Sequence, residues 1–161
     1  MARVYLSLGS NINRDHYIRT ALDTLQRRFG DLIVSPVYES ESVGFQGDNF
    51  YNLVVGIRTE VGVGELQKQI KAIEDDNGRV RGGPKFSSRT LDIDILTYDD
   101  CVGDVDGVAL PRDEIVRNAF VLWPLADVAG DELHPQLQRS YTDLWAEYDK
   151  NKQALWRVEL S

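Results

Sequence analysis

Only one cysteine, Cys101, occurs in the 161 residues. That excludes an intrachain disulfide and a zinc site built from cysteines. Histidine is almost as scarce: His16 lies in an amphipathic helix pattern and His134 stands just before Pro135. Both read as surface or turn residues rather than catalytic bases, so a serine triad has little support. No apolar run approaches the 18 or so residues of a membrane span, and no signal peptide is expected ahead of the fold, so the default location is cytoplasmic. Positive charge is in short supply. Lys+Arg number 18 against 26 Asp+Glu, a net charge of −8. A surface of that sign repels phosphate backbones and anionic lipid, which argues against nucleic-acid or membrane partners but leaves room for a local basic patch. Phosphate-loop fingerprints are missing as well: there is no G-x-x-x-x-G-K-[ST], and Gly62-Val63-Gly64 lacks a third glycine. What is present is a hydrophobic fraction of 42% with 27% charged residues. Such a chain is globular, and at this length it can bury roughly 68–70% of its unfolded surface around one core. One domain over 1–161 is expected, with no obligate protein partner and a monomeric state.

Periodicity orders the chain. Val4 to Leu8 reads as a buried strand stopping at Gly9, and Ile18, Ala21, Leu22 and Leu25 mark one face of a helix that Gly30 ends. Leu32 to Tyr38 and Phe50 to Ile57 read as strands, joined by a polar connection from Glu39 to Asn49. Leu66, Ile70 and Ile73 mark a second helix closed by Asn77-Gly78, and Leu91 to Tyr98 alternates as a strand with Leu91, Ile93 and Ile95 on one face. The order β-α-β-β-α-β predicts an α+β, ferredoxin-like sandwich, an antiparallel sheet with two helices on one side. A C-terminal extension follows. It holds a turn-rich acidic stretch from Asp99 to Asp106, the apolar run Phe120 to Leu125, and a helix pattern through Tyr141, Leu144, Trp145 and Tyr148. Ser140 and Asp143 form a capping box for that helix, and Trp156, Val158 and Leu160 alternate as a last strand.

One window concentrates chemistry. Residues 79–89 carry Arg79, Arg81, Lys85 and Arg89 with no acid, among glycines and Pro84 that imply an irregular, mobile loop. Asp92 and Asp94 follow, and a separation of two on a strand puts both carboxylates on the same face. A carboxylate pair beside a cationic loop suits magnesium–nucleotide chemistry, in which Mg²⁺ takes one or two carboxylates plus phosphate oxygens. Each half alone is common on solvated surfaces; their coincidence within sixteen residues, against the overall charge, is what singles the window out.

The chain also resembles a known family. Leu8-Gly9-Ser10-Asn11, Tyr38-Glu39-Ser40 with Val43-Gly44, Asn52, Gly78-Arg79-Val80-Arg81, Arg89-Thr90-Leu91-Asp92-Ile93-Asp94-Ile95 and Phe120-Val121-Leu122-Trp123-Pro124-Leu125 together resemble the 6-hydroxymethyl-7,8-dihydropterin pyrophosphokinases of folate biosynthesis. The resemblance covers nearly the whole chain in the right order. It implies a ferredoxin-like fold and transfer of pyrophosphate from ATP to the hydroxymethyl group of a reduced pterin, with two magnesium ions and release of AMP. It makes Asp92 and Asp94 the metal ligands, and Arg79 and Arg89 the catalytic cations of the mobile loop. Glu74, Arg81, Ile95 and Arg112 would line the nucleotide site. Asn52 would bond the pterin edge, Phe50 and Phe120 would sandwich its ring, and Ser40 and Val43 would complete that pocket. On pattern alone, the two phenylalanines fit plain core packing better than a stacking role.

The sequence departs from the family at several points. Leu110-Pro111-Arg112 stands where L-P-H is usual, and Asn118 where an arginine precedes the stacking aromatic, with Arg117 one place earlier. Phe86 replaces a tryptophan, Ser87-Ser88 a Gly-Pro, and Ser42 a proline. An arginine supplies charge as a histidine does but does not titrate near neutrality. These departures leave a second reading, a divergent relative that binds a pterin-like or nucleotide ligand with weak or no transfer activity. An RNA-binding module of the same strand order is disfavoured by the charge and by the lack of an aromatic R-G-F-x-F strand.

Overall fold

The computed structural model describes residues 1–41, 49–78 and 90–160. Its strands and helices run β1 (Ala2–Ser10), α1 (Arg14–Phe29), β2 (Ile33–Val34), β3 (Val37–Ser40), β4 (Phe50–Thr59), α2 (Val63–Asp76) and β5 (Asp92–Tyr98). The extension adds β6 (Gly103–Val105), β7 (Val108–Leu110), α3 (Glu114–Arg117), α4 (Ala119–Ala129), α5 (Tyr141–Glu147) and β8 (Leu155–Val158). The main sheet has the order β5-β1-β4-β3-β8, with every pairing antiparallel. Its four strands from the first part of the chain give the ferredoxin-like arrangement that the periodicity predicts. The last strand pattern becomes β8, which extends the sheet beyond β3.

Alternation along the strands separates two cores. Val4, Leu6 and Leu8 of β1, Leu53, Val55 and Ile57 of β4, and Ile93 and Ile95 of β5 face one side. There they meet Ile18, Ala21 and Leu25 of α1 and Leu66, Ile70 and Ile73 of α2. Tyr5, Val54 and Leu96 face the other side and meet Val121, Leu122 and Leu125 of α4, with Tyr141 of α5. Helices therefore cover both faces, where the strand–helix order alone places two on one side. The apolar run from Phe120 is the reason: as a helix it is hydrophobic enough to bury the second face.

The segment read as one strand from Leu32 to Tyr38 is broken at Ser35-Pro36. Proline has no N–H for the ladder. Ser35 repairs the gap, since its Oγ accepts the Val54 N–H at 2.9 Å while its own N–H donates to the Val54 carbonyl at 2.9 Å. β6 and β7 form a hairpin whose turn residues, Asp106 and Gly107, both have positive φ (52° and 85°), the conformation that selects Asp-Gly. Ser140 caps α5 as its pattern predicts, its Oγ accepting the Asp143 N–H at 3.1 Å.

His134 is a turn residue but not a surface one. It is buried, and its Nδ1 accepts the N–H groups of Gln136 at 3.2 Å and Leu137 at 3.1 Å. Both bonds need an unprotonated Nδ1, and burial lowers the pKa below its ordinary 6.5. The contribution of this ring to stability is complete above pH 6.5 and is lost as pH falls through the lower folded-state value. The urea midpoint should therefore fall between pH 7.5 and pH 5. His134→Ala should lower stability at pH 7.5 by about 1–3 kcal/mol, the cost of stranding buried donors, and should flatten the acid slope. An unchanged slope in the variant would assign the pH dependence elsewhere.

Candidate active site

Three adjacent strands set the site. Register pairs Gly9 of β1 with Asn52 of β4 on one side and with Asp92 of β5 on the other. Residues in such a row point to the same face, and two strand spacings put Asn52 and Asp92 about 10 Å apart. That face is the one α4 covers, because Ile93 and Ile95 occupy the opposite core. Phe50, two residues before Asn52, shares it, and so does Asp94, opposite Ser7. Phe120 enters from the start of α4, partly buried against the second core. Among the described residues the fold thus gathers Phe50, Asn52, Asp92, Asp94 and Phe120 on one side of the sheet.

Gly9 leaves room for the amide in this row. A Cβ there would lie 2.9 Å from Asn52 Oδ1, so any side chain at 9 would push that amide aside. The amide of Asn52 is buried and donates from Nδ2 to Ser40 Oγ at 3.2 Å. That bond occupies one of its two N–H donors and fixes the plane of the amide. Ser40, itself buried, is paired with Phe50 across β3 and β4.

β5 is an edge strand of the main sheet, and Glu74 anchors it. The buried Glu74 carboxylate, in the last turn of α2, accepts the Ile93 N–H at 2.8 Å. That bond holds the strand backbone between the two aspartates. Glu74 therefore reaches the site through β5. The side chain of Ile95 is buried in the first core.

Arg112 follows β7 and is brought directly to the carboxylate pair. Its N–H donates to the Leu96 carbonyl at 2.8 Å, and its guanidinium Nη2 lies 3.4 Å from Asp94 Oδ1. Its Nε donates to Glu114 Oε1 at 3.2 Å. The Asp94 carboxyl is pushed up to about 7. Burial is the main cause; Arg112 opposes it, and the neighbouring charges of Asp92, Glu114 and Glu74 reinforce it. Glu114 had no sequence signal beyond its place two residues after Arg112. Asn118 is committed elsewhere: its Oδ1 accepts from Gln153 Nε2 at 2.9 Å, while Gln153 Oε1 accepts the Ala119 N–H at 2.8 Å. Arg117 is exposed and paired with Asp113 at 3.4 Å. Ser42, Val43, Arg79, Arg81, Phe86, Ser87, Ser88 and Arg89 lie outside the described residues.

The donor set fits a hard cation of small size. Among the described residues no group of three or more His, Cys, Asp or Glu gathers to hold a metal. Two carboxylates leave most positions of an octahedral ion to phosphate and water oxygens, which is how Mg²⁺ binds beside nucleotides. No helix among the described residues is long and apolar enough to cross a membrane.

The chain is similar to proteins of known family. The family model of 7,8-dihydro-6-hydroxymethylpterin-pyrophosphokinase matches residues 5–130. The 2-amino-4-hydroxy-6-hydroxymethyldihydropteridine pyrophosphokinase of Aquifex aeolicus is 36% identical over 137 residues, covering 84% of this chain and 85% of its own. That of Porphyromonas gingivalis is 38% identical over 143 residues, covering 84% and 96%. The chain spans a smaller part of some longer relatives: 18% of the folic acid synthesis protein fol1 of Pneumocystis carinii, at 33% identity and 82% of this chain. In fold, it resembles the HPPK-DHPS chain of Plasmodium falciparum crystallised with pterin and p-hydroxybenzoate, with a TM-score of 0.74 at 15% identity, over 98% of this chain and 47% of that one. With the family model matched over most of its length and relatives above 35% identity across four-fifths of it, the chain belongs to the 7,8-dihydro-6-hydroxymethylpterin-pyrophosphokinase family, the ATP-dependent pyrophosphokinases of folate biosynthesis.

Proposed function

We propose that this chain works as one domain over 1–161, a cytoplasmic monomer. On the α4-covered face of its sheet it transfers pyrophosphate from ATP to 6-hydroxymethyl-7,8-dihydropterin. Its substrates are small molecules; nucleic acid, membrane and an obligate protein partner have no part in the reaction. The observation that carries the residue assignment is the row Asn52, Gly9, Asp92. It puts an amide suited to reading a heterocycle and a carboxylate suited to a metal about 10 Å apart on one face.

Asn52, steadied by Ser40, presents its Oδ1 and remaining N–H to the pterin edge, while Phe50 and Phe120 stack on the ring faces. Val43 completes the pocket. Asp92 and Asp94 would hold two magnesium ions, which when bound would draw charge off the phosphate oxygens. Glu74 keeps β5, and so both aspartates, in position. Glu74, Arg81, Ile95 and Arg112 lie along the nucleotide site, and Arg79 and Arg89 neutralise phosphate charge. The hydroxymethyl oxygen attacks the β-phosphorus in line. The bond from that phosphorus to the oxygen bridging it to the α-phosphate breaks, and AMP leaves with that oxygen. The hydroxymethyl proton is released as the new P–O bond forms.

The stacking assignment separates cleanly from core packing. Phe120→Ala should weaken pterin binding by about 1–3 kcal/mol, the scale of ring stacking on an aromatic side chain. Binding of a non-hydrolysable ATP analogue should hold. Titration calorimetry beside thermal melts checks this: a lower melting temperature with unchanged pterin affinity would return Phe120 to a packing role.

A further inference from the structure

The guanidinium of Arg112 sits between two carboxylates of different standing. Asp94 projects from β5 into the site; Glu114 begins the four-residue helix α3 and lies beside it. The contacts are 3.4 Å to Asp94 Oδ1 and 3.2 Å to Glu114 Oε1. All three side chains are about one-third exposed, so ions and phosphates reach them from solvent. The Arg112 main chain is fixed by its N–H bond to the Leu96 carbonyl, so the movable part is the side chain alone. A cation placed on Asp94 and this guanidinium compete for one carboxylate. When the cation takes it, the guanidinium is repelled and needs another anion within reach.

We propose that Arg112 is the resident counter-cation of Asp94, displaced by the arriving metal, and that Glu114 is a positioning residue that retains the displaced guanidinium beside the phosphate-binding face. This rests on the reading of Asp94 as a metal ligand. Arg112 thus sets a threshold: metal loads when its gain exceeds the ion pair it breaks, and the cation it releases is delivered where triphosphate charge arrives. Glu114 lowers that threshold by giving the guanidinium a second partner. A histidine at 112 would carry this charge only when protonated, whereas the arginine carries it at every working pH.

The test is a Mn²⁺ titration of the full chain without nucleotide, followed by water-proton relaxation. Arg112→Gln should bind Mn²⁺ about two- to fivefold more tightly, the range expected for loss of a partly exposed ion pair. Glu114→Gln should bind it about two- to fivefold more weakly, because displaced Arg112 then loses the Glu114 carboxylate. In the Arg112→Gln background, Glu114→Gln should change Mn²⁺ affinity by less than about twofold, since its effect runs through the missing guanidinium. Equal effects of Glu114→Gln in both backgrounds would reduce it to a bystander charge and overturn the proposal, as would Arg112→Gln binding no more tightly than the natural chain. Asp94→Asn is the control for the underlying site. If it binds Mn²⁺ as the natural chain does, the metal assignment itself fails. If it loses Mn²⁺ while the Arg112 and Glu114 variants behave additively, only the exchange is wrong.

Discussion

Asp94→Ala is expected to lose pyrophosphoryl transfer by on the order of 10³-fold or more, about 4 kcal/mol of transition-state stabilisation. The carboxylate is placed by β5, faces away from the first core and is held at about 7 by burial among other acids. Its removal takes away a proposed metal ligand and leaves Arg112 paired with Glu114. The fold should survive. The lost contact with Arg112 is a partly exposed ion pair, worth about 0–1 kcal/mol. Turnover and a thermal melt on one preparation decide the matter. A folded variant that keeps most of its activity would remove Asp94 from the metal site; a variant that does not fold would show the face to be structural.

The second large effect concerns the pterin. Asn52→Ala should weaken pterin binding by about 2–4 kcal/mol, since it strands two or more polar groups of the heterocycle in a buried pocket. Gly9→Ala should produce a similar loss without replacing the ligand-binding side chain. Its new Cβ would lie 2.9 Å from Asn52 Oδ1 and force the amide out of line. In both variants affinity for a non-hydrolysable ATP analogue should stay within about twofold, because Asp92, Asp94 and Arg112 are unaltered. Parallel titrations with the two ligands check this. A matching loss of nucleotide affinity would mean that the two halves of the site are not independent.

Much of this is legible in the sequence. Alternation in Leu91, Ile93 and Ile95 put Asp92 and Asp94 on a common face, and the structure keeps those three side chains buried. Helix spacing at Ile18, Ala21 and Leu25 and at Leu66, Ile70 and Ile73 returned both helices of the first core. What periodicity did not convey was long-range. Phe120 to Leu125 is apolar on all sides, so it has no amphipathic stripe to tell which surface it covers; only the sheet's second face explains it. The break at Ser35 depends on a hydroxyl standing in for a ladder bond, which no hydrophobic pattern records. The Asp106-Gly107 turn was written in the sequence, yet it stood at the end of a stretch read simply as acidic and turn-rich. In the site, Asn52 and Asp92 are 40 positions apart, and their adjacency through Gly9 follows only from strand order. The closeness of Arg112 and Asp94 is likewise a product of the path from β5 through β7.

The most direct test of the central claim is the nucleotide product. Purified chain incubated with ATP, Mg²⁺ and 6-hydroxymethyl-7,8-dihydropterin should release AMP and pterin pyrophosphate in equal amounts, resolved by anion-exchange chromatography. Neither should form when the metal is chelated. ADP as the product, or ATP consumption at the same rate without the pterin, would contradict pyrophosphoryl transfer at this site.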